Sequence, residues 1–132
     1  MLIVDTNVLV DILGDDPDWA DWSIRQLQAQ AQVHDLVVTP VIYAELSLTF
    51  DSVAALDREL AGMGLVLVEP TRDALFLAGK AYAKYRRSGG IKQNVLADFF
   101  IGAQAAVSRC GIVTRDPRRY RNYFPSVPLI TP

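Results

Sequence analysis

Four carboxylates sit where an acid has little reason to be. Asp5 follows the short apolar run Leu2-Ile3-Val4 directly. Asp116 repeats that arrangement, in the turn Arg115-Asp116-Pro117 after Gly111-Ile112-Val113-Thr114. Glu45 lies in Val41-Ile42-Tyr43-Ala44-Glu45-Leu46, a segment nearly all apolar. Asp98 stands near the start of Val95–Val107, which is apolar almost all round, as in a buried helix. Each has an ordinary reading: a turn or N-cap carboxylate for Asp5, an Asp-Pro turn for Asp116, a solvent-facing residue for Glu45, a favourable helix-dipole position for Asp98. Taken together they suggest a metal site. Two carboxylates 4 Å apart repel by about 4 kcal/mol at an effective dielectric near 20, and four together by on the order of 10 kcal/mol. That rivals the stability of a whole domain, roughly 5–15 kcal/mol. Only protons or a multivalent cation relieve such a cluster, and all-oxygen ligands select Mg²⁺ or Mn²⁺. Thr6, Asn7 and Thr114 could add hydroxyl or amide oxygens, hold a metal-bound water, or simply cap.

The surrounding elements would bring these groups together. Short Val/Ile/Leu runs alternate with longer helical patterns, which predicts βα units and a mostly parallel sheet of four to five short strands. Leu2–Val4, Leu36–Val38, Leu65–Val68 and Gly111–Val113 read as strands covered on both faces, with Leu129-Ile130 as a last edge strand. Ligands of such sheets bind beyond the carboxyl ends of the strands, where Asp5 and Asp116 fall. A short helix Val8–Leu13 is expected after Thr6 or Asn7. Asp16-Pro17 and Thr39-Pro40 pair an N-cap with proline at the first helical position, opening helices to about Gln32 and Thr49. Asp51 or Ser52 opens a helix ending near Gly62 or Gly64, and Thr71 caps one running to Arg87. The helix of Asp98 spans about Val95 to Arg109, and Gly102 on its face would admit another backbone.

Composition narrows the chemistry. The chain has 132 residues, 51% of them hydrophobic, and suits one domain. One cysteine, Cys110, excludes an internal disulfide and a cysteine-rich zinc site, and one histidine, His34, excludes a His-rich metal site. The amino terminus lacks the pattern of a signal peptide, and no run of 18 apolar residues occurs, so a cytoplasmic protein without membrane association is expected. The net charge of -2 hides a division. Residues 1–79 hold 13 acids and 3 bases; residues 80–132 hold 10 bases and only Asp98 and Asp116 as acids. The basic half suggests an anionic partner, against the plainer reading of solvated helix faces.

These residues resemble the PIN-domain ribonucleases, most closely the VapC-type toxins of bacterial and archaeal toxin–antitoxin pairs. The matching stretches are Ile3–Asp11, Val41–Leu46, Asp98–Ala105 and Thr114–Asp116. The resemblance covers essentially the whole chain. It implies a PIN-like three-layer α/β/α sandwich, a single domain over residues 1–132, and Asp5, Glu45, Asp98 and Asp116 as the quartet that binds one or two Mg²⁺ or Mn²⁺ ions. It further implies hydrolysis of RNA phosphodiesters to 3′-hydroxyl and 5′-phosphate ends, a cognate antitoxin that wraps the chain, and a homodimer. Thr6 matches the hydroxyl residue common beside the first acid. Ala97 and Gln104 depart from the proline and histidine frequent there, which would bear on the helix start and on RNA contacts.

Basic residues beside the acids suit phosphate binding: Arg86, Arg87 and Lys92 before Asp98, and Arg115, Arg118 and Arg119 around Asp116. Tyr120 and Tyr123 could pack or stack on bases. Trp19 and Trp22 point away from the apolar stripe Ala20, Ile24, Leu27 and Ala31; they either pack on a neighbouring helix or touch the antitoxin or second subunit. A receiver domain would need an aspartate at a middle strand end and a late lysine, and a haloacid-dehalogenase phosphatase would need Asp-x-Asp where Asp5-Thr6-Asn7 stands. The remaining alternative is a catalytically inactive PIN-fold module that binds RNA or protein.

Overall fold

The computed structural model describes residues 1–92 and 95–132. The element order is β1 (Leu2–Val4), α1 (Thr6–Leu13), α2 (Ala20–Gln30), β2 (Leu36–Val38), α3 (Pro40–Leu46) with a 3₁₀ turn (Ser47–Thr49), α4 (Val53–Gly62), β3 (Val66–Leu67), α5 (Arg72–Arg87), α6 (Leu96–Ser108), β4 (Gly111–Val113), α7 (Arg118–Tyr123) and β5 (Leu129–Ile130). The strands form one sheet in the order β3-β2-β1-β4-β5, all pairs parallel, flanked by helices. This is the α/β sandwich expected. No helix among the described residues is long and apolar enough to cross a membrane.

The strand order places the site. The chain builds β1, β2 and β3 outward in one direction, then crosses through α5 and α6 to lay β4 on the other side of β1. In sheets of this kind ligands bind at that reversal, here beyond the carboxyl ends of β1 and β4. Leu2, Ile3 and Val4 are at most 2% exposed, so the strand feeding Asp5 is the centre of the core. α6 packs against α5 and contributes the buried Phe99, Ile101, Gly102, Ala103 and Ala105.

Local chemistry explains most helix starts. Thr39, Ser52 and Thr71 accept backbone N–H groups three residues on, capping α3, α4 and α5. Five expectations are corrected. α1 begins at Thr6, capped by Asp5 itself, so Thr6 and Asn7 lie inside the helix. α2 begins at Ala20, because Asp16 spends its carboxylate on the N–H groups of Asp18 and Trp19 and closes a turn ahead of the helix. Its buried face is Ala20, Ser23 and Leu27, with Ala31 exposed, because the Ser23 hydroxyl donates inward to Asp11. β3 pairs with β2 alone, and Val66 is 60% exposed rather than covered on both faces. At Gly102 the close neighbour is a ring and not backbone: an added Cβ would lie 2.3 Å from Phe124.

Candidate active site at the carboxyl end of the sheet

Asp5 is the hub. It is 5% exposed, and its carboxylate accepts four donors. Oδ1 takes the Thr6 N–H at 2.8 Å. Oδ2 takes the Thr114 hydroxyl at 2.8 Å, the Tyr120 hydroxyl at 2.9 Å and, more weakly, the Asn7 amide at 3.5 Å. Burial nonetheless outweighs these bonds and raises its pKa, with the Glu45 charge adding to the rise. Every donor on Asp5 is neutral, so its buried charge has hydrogen bonds but no counter-ion.

The other three acids arrive from three separate elements. Glu45, on α3, is exposed, contrary to an inward reading of its apolar segment, and its Oε1 accepts the Thr6 hydroxyl at 2.7 Å. Thr6 therefore joins Asp5 and Glu45, through its backbone and its side chain. Asp116 is exposed in the turn after β4, and its N–H donates to the Thr114 hydroxyl at 3.1 Å. Asp98 lies in the first turn of α6. Its carboxyl is pushed up to about 6, first by burial and then by Asp5, Asp116 and Glu45, against the opposing charge of Arg119. One group thus feels the other three: the four carboxylates share a single electrostatic site at one end of the sheet.

As a donor set this could hold a hard divalent cation, since every ligand atom is oxygen and two of the carboxyls are raised by burial and by like charge. Among the described residues, no three acidic, histidine or cysteine side chains are drawn to the spacing of a closed metal cage.

The basic residues divide into two kinds. Arg115 turns inward and grips Asp11 with two bonds, 2.6 and 2.8 Å, while its guanidinium lies 5.0 Å from the Trp19 ring centre. Arg119 lies 3.6 Å from Asp98 through Nε, which is buried and has no hydrogen-bond partner among the described residues. Arg86, Arg87, Lys92 and Arg118 are exposed. Arg118 and Arg121 line a groove of about 370 Å³ that borders Asp116 and Asn122. Trp19 and Trp22 meet edge to face at 6.2 Å, both half-buried, and Trp22 packs on the core. Gln104 is buried and donates to the Val68 carbonyl at 2.8 Å, so it ties α6 to the end of β3 and makes no RNA-facing surface.

Two participants escaped the sequence reading. Tyr120, considered only for packing or stacking, is 1% exposed and bonds Asp5. Asp11 is 2% exposed and anchors Arg115. An acid within the apolar run Val8–Leu13 was the available sign of Asp11; for Tyr120, a tyrosine four residues after Asp116 was a much fainter one. Tyr123 packs against Phe99 and Tyr85.

The architecture and the sequence have matches. Among solved structures, the chain superimposes on VapBC2 from Rickettsia felis bound to a DNA fragment from its promoter, with TM-score 0.75, 18% identity and coverage of 98% of this chain and 97% of that one. VapBC-1 from nontypeable Haemophilus influenzae gives TM-score 0.73 at 16% identity, covering 98% and 96%. A toxin–antitoxin complex from Klebsiella pneumoniae gives 0.70 at 17%, covering 99% and 97%. No curated protein matches the chain in sequence. The family model described as PIN domain matches residues 2–125, and with the parallel sheet and the acids at its carboxyl end already in view, the chain belongs to the PIN domain family.

Proposed function

We propose that this protein is a Mg²⁺- or Mn²⁺-dependent endoribonuclease and the toxin of a toxin–antitoxin pair. The observation that carries the reading is the hydrogen-bond linkage of three acids from separate elements, Asp5 to Glu45 through Thr6 and Asp5 to the Asp116 turn through Thr114, at the crevice expected beyond the strand ends, with Asp98 in the first turn of α6 as the fourth carboxylate. These residues would hold one or two divalent ions. Such a cation, when bound, polarises a phosphoryl oxygen and lowers the pKa of an attacking water. The chain's own part is to orient. Thr6 aligns Asp5 with Glu45, and Thr114 aligns Asp5 with the turn carrying Asp116. Arg119 stands beside Asp98 and Arg118 borders Asp116, so each would offer a positive charge to a phosphate that the acids repel. Arg86, Arg87 and Lys92 would extend that contact along the RNA. Arg115 is committed to Asp11, so its contribution is to hold the turn of Asp116 rather than to meet phosphate.

The toxin assignment draws on the likeness to toxin–antitoxin complexes and on the same crevice, which an antitoxin would cover. Trp19 and Trp22 are proposed as contacts for the antitoxin or for a second copy in a homodimer, and the cytoplasm as the location. The test is cleavage of RNA by the purified protein with Mn²⁺. Asp98→Asn should keep a cooperative melt and lose metal-dependent cleavage. Full cleavage by that variant would remove Asp98 from the site. RNA binding without cleavage by the parental protein would favour an inactive PIN-fold module.

A further inference from the structure

We propose that Tyr120 and Thr114 are positioning residues that turn Asp5 so that Oδ1 alone faces a cation; this rests on the metal-dependent reading above. The Arg115 N–H donates to Asn7 Oδ1 at 3.0 Å, which orients the Asn7 amide and turns its Nδ2 towards Thr114. The Thr114 hydroxyl, wholly buried, then receives two donors, Asn7 Nδ2 at 3.2 Å and Asp116 N–H at 3.1 Å. Its single proton has one direction left, towards Asp5 Oδ2. Tyr120 lies buried with its hydroxyl on the same oxygen. The two hydroxyl protons, at 2.8 and 2.9 Å, take the lone-pair directions of Oδ2, with the Asn7 amide a weaker third donor at 3.5 Å. Among the described residues Oδ1 carries only the N–H of Thr6, the residue whose hydroxyl holds Glu45, and so keeps one lone pair. Asp5 is therefore a one-oxygen ligand, and its rotation is set by a tyrosine that never touches the substrate.

The experiment is isothermal titration of Mn²⁺ into the full chain, beside metal-free melts, with Asp5→Asn as reference. Tyr120→Phe keeps the ring and removes only the hydroxyl. It should melt cooperatively and bind Mn²⁺ about 10–100-fold more weakly, the usual cost of losing a partner of a metal ligand. Thr114→Val should show the same loss and Thr114→Ser should restore the affinity, a rescue that general damage to packing would not show. Should Tyr120→Phe fail to melt cooperatively, the Thr114→Val and Thr114→Ser pair decides alone. Asp5-dependent uptake of Mn²⁺ that is unchanged in Tyr120→Phe and Thr114→Val overturns this proposal and leaves the metal reading standing. No Asp5-dependent uptake by the parental chain overturns both.

Discussion

Asp5 and Asp11 lie six residues apart, at the cap and inside the same helix, and are 5% and 2% exposed. Their surroundings solve the burial of a charge in opposite ways. Asp11 has a fixed counter-ion, a guanidinium held by two short bonds, and a serine hydroxyl completes the set. Asp5 has hydroxyls and amides only, and its nearest charged neighbours are other acids. A buried carboxylate needs an opposite charge or a proton. Asp11 finds its compensation inside the chain; Asp5 is left to take it from outside. The contrast separates an acid that braces the fold from one available for chemistry, although sequence and burial alone would class them together.

Removing Arg115 attacks the closed network. Arg115→Ala leaves Asp11 buried without its partner, and a loss of about 3–5 kcal/mol is expected by urea denaturation. A loss below about 1 kcal/mol, the range of an exposed pair, would show that the network is loose. Asp5→Asn tests the open site. It removes a charge that the metal-free fold does not neutralise, so stability should change by no more than about 1 kcal/mol while Mn²⁺ uptake is lost. A large destabilisation would make Asp5 a bracing residue like Asp11.

A further expected effect is a dependence on pH without metal. The Asp98 carboxyl is raised from 3.8 to about 6 in the folded chain. Between those values the folded state binds more protons than the unfolded state, so stability falls as pH rises from about 4 through about 6. The pH-dependence of the melting midpoint over this window should flatten in Asp98→Asn. An unchanged slope would mean that Asp98 is not raised by its neighbours.

How far the site was legible depended on the kind of signal. Each of the four acids interrupts an apolar pattern or ends a strand, and that is visible locally. Tyr120 gave no such sign, because α7 is six residues long and a tyrosine in it suits ordinary packing equally well. Arg115 looked like one more base in a run of four around Asp116, and its partner lies 104 residues earlier. The start of α2 was misplaced for a related reason. Asp16 followed by Pro17 satisfies the rule for a helix start, and the same carboxylate satisfies a turn.

Sequence alone determined the class of sheet and most of the helix starts and singled out four acids as candidates, because apolar runs, caps and misplaced charges act over a few neighbouring residues. Tertiary structure decided which charges close on each other and which stay open. It paired Asp11 with Arg115, set Tyr120 on Asp5, and linked Asp5 through Thr6 to Glu45 and through Thr114 to the turn of Asp116. Those outcomes depend on where β1 and β4 lie side by side, and electrostatic energy is set by distances in space that spacing along the chain does not contain.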